Sequence, residues 1–301
     1  MSRTFQLHRG ALTFTVHEFG SGPLVLCLHG FPENPRSFRL QVPALVAAGF
    51  RVVVPTMRGY EPSSQPRDGD YHMLHLAEDV LAWLEELREE RCHLVGHDWG
   101  AVVAYVAAGL APERFASLTT LAIAHPGRIE RELLTTRPSQ LLKSWYMFLF
   151  QLRGIAEYVF SRRDFALMET LCRDWSPGYE LPADELVRLK QTFAQPGVTR
   201  AALSYYRALF AFFSENHRRM RKVLSAPLPV PTLALTGECD GAMDTRLHDD
   251  LMRVVDFPAG LRVERVRGAG HFLHQERPQE VNRLLLSWLQ RYSTVERVAS
   301  P

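Results

Sequence analysis

Asp98 stands midway between two glycines in Gly96-His97-Asp98-Trp99-Gly100. Cys92 to Val95 before it is an apolar, strand-like run, and Trp99 to Leu110 after it is Ala/Val-rich and of helical length. A Gly-x-residue-x-Gly corner between strand and helix has the form of a nucleophile elbow. Its small flanking residues let strand and helix approach while the middle residue sits strained at the apex. The apex here is a carboxylate, which can attack an electrophilic carbon and form an ester that water later cleaves. An Asp before a helix is also a common N-cap; the paired glycines favour the nucleophile.

A water-activating base and a carboxylate to orient it complete such a site. His271 lies in Gly268-Ala269-Gly270-His271-Phe272, after a strand-like run over 261–266, and of the twelve histidines only it combines that position with that glycine context. Asp240, in Thr236-Gly237-Glu238-Cys239-Asp240-Gly241, follows the strand-like run 231–236 and is the best placed orienting acid, with Asp244 and Glu238 as weaker competitors. The chain order is nucleophile, acid, histidine, as in α/β-hydrolases. Water attack on an Asp98 ester generates an oxyanion on Asp98 itself. The backbone N–H groups of Phe31, in the loop His29-Gly30-Phe31-Pro32-Glu33, and of Trp99, at the helix start, are placed to hold it.

These residues need a scaffold that presents strand ends together. Residues 5–9 and 12–18 alternate apolar and polar around Arg9-Gly10, which predicts a hairpin. A continuous apolar run at 23–28 and strand-like stretches at 51–55, 92–95 and 116–124 alternate with helical stretches at 36–48, 71–89 and 99–110, as in a mostly parallel doubly wound sheet. The alternation stops at 128–223, a helix-like stretch rich in Leu, Phe, Tyr, Trp and Arg, broken at Pro138, Gly154, Pro177-Gly178 and Pro196-Gly197. Strand signals then resume, with helices expected over 245–255 and 278–292 and a frayed tail beyond. The expected fold is therefore α/β: an eight-stranded sheet in a core formed by 1–127 and 224–301, with 128–223 inserted as a helical cap.

Composition excludes other classes. With 301 residues, 46% hydrophobic and a net charge of +2 without a basic block, nothing points to nucleic acid. The polar N-terminal residues do not resemble a signal peptide, and no apolar run approaches a membrane span, so a cytoplasmic protein with no membrane partner is expected. The four cysteines lack metal or redox spacing, and no metal or organic cofactor is implied. Monomer and homodimer remain open.

The chain resembles the epoxide hydrolases of the α/β-hydrolase superfamily through His29-Gly30-Phe31-Pro32-Glu33, Arg58-Gly59-Tyr60, Gly96-His97-Asp98-Trp99-Gly100, Gly270-His271 and the cap between strands, over essentially its whole length. That resemblance implies an oxyanion loop at 29–32, often with a cis peptide before Pro32, and two cap tyrosines that protonate the epoxide oxygen. The segment Trp145 to Gly154 points to Tyr146, and Ser204-Tyr205-Tyr206-Arg207 points to Tyr206, with Tyr205 and Tyr158 as alternatives. The implied substrate is a small apolar epoxide, attacked with water in a pocket for which His29, Phe31, Pro32, Trp99, Trp145, Met147 and Phe150 are candidate walls. Departures from the family pattern, Thr56, Glu61 and Arg153, fall in loops. A haloalkane dehalogenase is the nearest rival, although Phe31 replaces its usual second halide donor. A silent ligand-binding relative is another, although no expected member of the site is missing.

Overall fold

The computed structural model describes residues 2–293. The expected fraying beyond Tyr292 falls, Ser293 apart, outside them. Among the described residues eight strands form one sheet: β1 (Ser2–Arg9), β2 (Leu12–Gly20), β3 (Leu24–Leu28), β4 (Arg51–Pro55), β5 (Cys92–His97), β6 (Phe115–Leu121), β7 (Thr232–Gly237) and β8 (Leu261–Val266). Their spatial order is β1-β2-β4-β3-β5-β6-β7-β8. β1 and β2 are the expected antiparallel hairpin, and β2 also runs antiparallel to β4; the rest are parallel. Every residue of β3, β5, β6 and β7 is buried, the polar Ser117, Thr119 and Thr120 of β6 and Thr232 and Thr236 of β7 included, as in central strands covered on both faces.

Helices α1 (Val42–Ala47), α2 (Met73–Leu87) and α3 (Trp99–Leu110) connect the first parallel strands. The helix expected over 36–48 is broken: a 3₁₀ turn covers Pro35–Phe38, and α1 begins only at Val42. Pro43 explains the break, since it has no N–H to continue a helix but fits an N-terminal turn. From β6 the chain runs through α4 (Pro126–Thr136), α5 (Gln140–Lys143), α6 (Trp145–Leu149), α7 (Ile155–Trp175), α8 (Ala183–Ala194), α9 (Val198–Leu209) and α10 (Glu215–Ser225). Helix ends fall at the expected breakers, but α7 also carries a turn at Arg162–Phe165 in which three successive non-glycine residues have positive φ. No Gly or Pro marks that turn in the sequence. Two helices of this stretch lie against core helices: α10 on α2 and α3, and α4 on α11 (Arg246–Leu251). Helices α12 (Leu273–Glu276) and α13 (Pro278–Ser293) close the described chain. No helix among the described residues is long and apolar enough to cross a membrane.

The strand order reverses at β3, whose sequence successors β4 and β5 lie on opposite sides of it. Open α/β sheets bind ligands at the carboxyl ends flanking such a point. The carboxyl ends here are the His29–Glu33 loop and Asp98. Their approach depends on glycine, because a Cβ at Gly96 would overlap the Gly100 carbonyl, and one at Gly100 would overlap the Leu28 carbonyl. Backbone cannot yield as a flexible side chain does. Gly100→Ala is expected to lower unfolding stability by about 1–3 kcal/mol, read as a reduced urea midpoint at unchanged slope. An unchanged midpoint would show that the elbow tolerates a wider strand–helix spacing.

Candidate active site

Asp98 occupies the corner between β5 and α3 with φ 49° and ψ −118°, a conformation costly for a residue with a side chain. Its carboxylate makes no capping bond to the first turn of α3. Instead Oδ1 accepts the Phe31 N–H at 2.8 Å. The loop can come this close because position 30 is glycine: a Cβ there would lie 2.6 Å from Oδ1. The peptide between Phe31 and Pro32 is cis. Of the two expected backbone donors, Phe31 therefore contacts the carboxylate directly; Trp99 follows it in the chain without such a bond.

His271 is buried with Nδ1 2.9 Å from Asp240 Oδ2. Its Nε2 lies 3.4 Å from Asp98 Oδ2, outside hydrogen-bond geometry and with no other partner. Asp240 Oδ1 accepts the N–H groups of Ala242 and Met243, each at 2.8 Å, which fixes the carboxylate plane. Burial acts to lower the His271 pKa, but the Asp240 and Asp98 carboxylates outweigh it and hold it up to about 10. The competing acids are used elsewhere: Asp244 pairs with Arg246 at 2.6 Å, and Glu238 accepts the Gly268 N–H.

Tyr146 and Tyr206 are both buried, their ring centroids 5.7 Å apart and nearly perpendicular. Burial raises each phenol well above its usual pKa, and the Asp98 charge adds to the effect in both. The Tyr206 hydroxyl is buried without a partner, and so is the Trp99 indole N–H, whose ring lies 4.9 Å from that of Tyr206. The alternatives are occupied or remote. Tyr205 donates its hydroxyl to the Arg58 carbonyl at 2.6 Å, and Tyr158 is exposed.

The expected wall residues separate into two groups. Phe31, Trp99 and Phe150 are buried beside the tyrosines, and Met147 is partly buried against the same core. Pro32 lines a small open cleft shared with Glu33, Tyr179, Leu181 and Glu185. Trp145 is half-exposed, its ring 6.3 Å from Tyr146 and outside the aromatic cluster. His29 braces the loop from beneath: Nδ1 donates to the Gly30 carbonyl and Nε2 accepts the Met57 N–H. Three aromatic residues were not singled out in the sequence. Phe160, Phe193 and Trp175 pack their rings 5.6–6.2 Å from Phe31, and nothing in their helical context distinguishes them from ordinary core.

A buried polar network that joins the loops of Asp98 and His271 carries no local signal in the sequence. Glu33 Oε2 accepts the Gly30 N–H at 2.9 Å and His97 Nδ1 at 2.7 Å, while Oε1 accepts Gln275 Nε2 at 3.0 Å. The other His97 nitrogen donates to the His271 carbonyl at 2.9 Å. The His271 carbonyl can only accept, and the other ring nitrogen faces the Glu33 carboxylate, with which His97 forms a buried ion pair. Burial alone would raise the Glu33 pKa; the His97 charge and the histidine hydrogen bonds outweigh it and hold the carboxyl well below its usual range. His274 completes a Glu33–His97–His274 cluster of metal-ligand type, but both His97 nitrogens are engaged as donors. One ion pair thus touches the 29–33 loop, the end of β5 and the loop of His271.

Comparison with known proteins follows the same pattern. A profile of the alpha/beta hydrolase fold matches residues 23–278. Epoxide hydrolase 3 of Xenopus tropicalis is 35% identical over 281 residues, covering 91% of this chain and 73% of that one. Human epoxide hydrolase 4 is 31% identical over 274 residues, covering 89% and 72%. Among solved structures, an epoxide hydrolase from an endophytic Streptomyces superposes with a TM-score of 0.78 at 29% identity, covering 96% of this chain and 95% of that chain.

Glu33→Gln should therefore destabilise the fold by about 3–5 kcal/mol at neutral pH, the cost of stranding one member of a buried ion pair. Because the folded-state pKa of Glu33 is depressed, its contribution is complete above the unfolded carboxyl pKa of about 4.3 and fades as pH falls below it. Urea unfolding of both proteins from pH 7 to pH 3 should show the gap closing towards acid. A gap independent of pH would contradict an ionised Glu33.

Proposed function

The chain belongs to the α/β-hydrolase superfamily and, within it, to the epoxide hydrolases, and from this we propose that it converts a small apolar epoxide and water to a vicinal diol through an ester on Asp98. The arrangement that carries the reading is a carboxylate with one oxygen on the Phe31 N–H, the other facing His271, and two raised-pKa phenols close enough to feel its charge. Residues 128–223 act in this reading as the cap that brings those phenols over the core.

In the first half-reaction Asp98 Oδ2 attacks an epoxide carbon and the C–O bond breaks. Tyr146 and Tyr206 hydrogen-bond the departing oxygen and supply its proton. A buried phenol held above its usual pKa stays protonated near neutrality, yet is far more acidic than an alkoxide. Ester formation then removes the Asp98 negative charge. With it goes one of the two carboxylates that keep His271 protonated, so the imidazolium gives up its proton, which restores the phenol left deprotonated by the first step, as a base becomes necessary. Neutral His271, still held by Asp240, takes a proton from water, and the hydroxide attacks the ester carbonyl. The resulting oxyanion forms on Oδ1, which the Phe31 N–H already holds. Collapse breaks the bond between the Asp98 Cγ and the ester oxygen, the departing alkoxide takes the proton of the new carboxyl group to give the diol, and Asp98 returns to carboxylate beside a protonated His271.

The partnerless Trp99 indole N–H is the one observation that favours haloalkane dehalogenation, since it offers a single halide donor. Phe31 contributes only a ring enclosed by five others, not a second donor.

Diol and halide release should be measured over a panel of apolar epoxides and haloalkanes. Diol without halide is expected, falling about 10⁴-fold or more in Asp98→Ala. Halide without diol would move the assignment to dehalogenase, and turnover of neither, with binding retained, would make the chain a receptor. Tyr206→Phe should slow ester formation about 100-fold and leave ester hydrolysis unchanged. His271→Gln should do the reverse, accumulating an adduct of one substrate mass on the intact protein. A variant that slows both steps equally would remove its residue from the assigned half-reaction.

A further inference from the structure

The acid and base loops, 240–243 and 268–272, have no chain connection to α7, yet both are built against its last residue. The Trp175 carbonyl accepts two N–H groups at once: Gly241, next to the acid, at 2.9 Å and His271 itself at 3.0 Å. The next residue continues the contact. Ser176 Oγ accepts the Phe272 N–H at 3.0 Å and donates to Glu276 Oε1 at 2.7 Å, while Glu276 Oε2 accepts the Gly270 N–H at 2.8 Å. The three successive N–H groups of Gly270, His271 and Phe272 are thus held by Glu276, Trp175 and Ser176 in turn.

The fit leaves no slack. A Cβ at Gly241 would overlap the Asp174 carbonyl, and one at Gly270 would come 2.5 Å from the Ser176 Cα. Glycine beside each catalytic loop is therefore explained by the same three-residue segment, 174–176. The Trp175 ring reaches the remaining machinery, with its centroid 4.8 Å from Tyr146, 5.3 Å from His271 and 6.2 Å from Phe31.

We propose that Trp175, Ser176 and Glu276 are positioning residues: the end of α7 sets the spacing of Asp240 and His271, so that seating of the cap aligns the general base. The proposal rests on the reaction assigned above and extends it to residues that touch no substrate. It requires that loss of the clamp harm the His271 step while leaving the attack by Asp98 intact. A role confined to packing would lower stability without separating the two steps.

Ser176→Ala strands the buried Phe272 N–H, Glu276→Ala frees the Gly270 N–H, and Glu276→Gln retains an acceptor for Gly270 together with a donor for Ser176. Rapid-mixing mass spectrometry on the full-length protein resolves ester formation from ester hydrolysis. Ser176→Ala and Glu276→Ala are expected to slow hydrolysis about tenfold or more, with the ester accumulating, ester formation within about twofold of wild type, and Glu276→Gln restoring hydrolysis. The downfield proton resonance of the His271–Asp240 hydrogen bond should broaden or shift in the two alanine variants and return in Glu276→Gln. Equal slowing of both steps, or unchanged hydrolysis with an unchanged proton resonance, overturns the clamp. If the wild type forms no ester with any epoxide, the reaction assignment fails, and the proton resonance alone still decides the clamp.

Discussion

A carboxylate held at a strained corner, against a backbone N–H from a neighbouring loop, is the constraint on which the rest of this molecule depends. Asp98 has positive φ, and no flexible side chain stands between it and the Phe31 amide. That contact exists only because β3, β5 and α3 approach to backbone distance at Gly96 and Gly100, and because Gly30 leaves room for the carboxylate. The reversal of strand order at β3 places the two loops side by side. The Glu33–His97 ion pair then ties both to the loop of His271. Strain at the apex is sustained because the surroundings fix it from several directions.

Charge arrangement follows from the same geometry. His271 lies between two carboxylates, one 2.9 Å away and hydrogen-bonded, the other 3.4 Å away and positioned to react. In the proposed reaction the first stays and the second vanishes when it becomes an ester. One burial site would then supply an imidazolium before the first half-reaction and a base after it, without movement of the histidine. The phenols across the site follow the opposite logic, kept neutral by burial and by the nearby carboxylate.

Much of this was legible in the sequence because it is written in local patterns. Apolar-rich stretches give the buried parallel strands, the Gly-x-Asp-x-Gly spacing gives the corner, and glycine-containing post-strand turns pick out His271 and Asp240. The Tyr205/Tyr206 ambiguity was not local: the neighbours on one helix are separated by distant contacts, Tyr205 with the Arg58 carbonyl and Tyr206 with the rings of Tyr146 and Phe31. Glu33 and His97 were both quoted within motifs, but their pairing spans 64 positions and has no periodic signature. Trp175 and Ser176 act partly through a backbone carbonyl, which any residue type supplies. The break at Pro43 could have been seen and was not; the positive-φ turn in α7 carries no Gly or Pro at all.

The most direct test of Asp98 as nucleophile follows oxygen through one turnover. Enzyme in excess over epoxide, in water enriched in ¹⁸O, is digested after reaction, and the peptide containing Asp98 is weighed beside the diol. Attack by Asp98 on carbon, followed by water on the ester carbonyl, leaves the label in the Asp98 carboxylate and the diol unlabelled. Label in the diol with an unlabelled Asp98 peptide means that water attacked the epoxide directly, and Asp98 would then be a base or a charge, not a nucleophile.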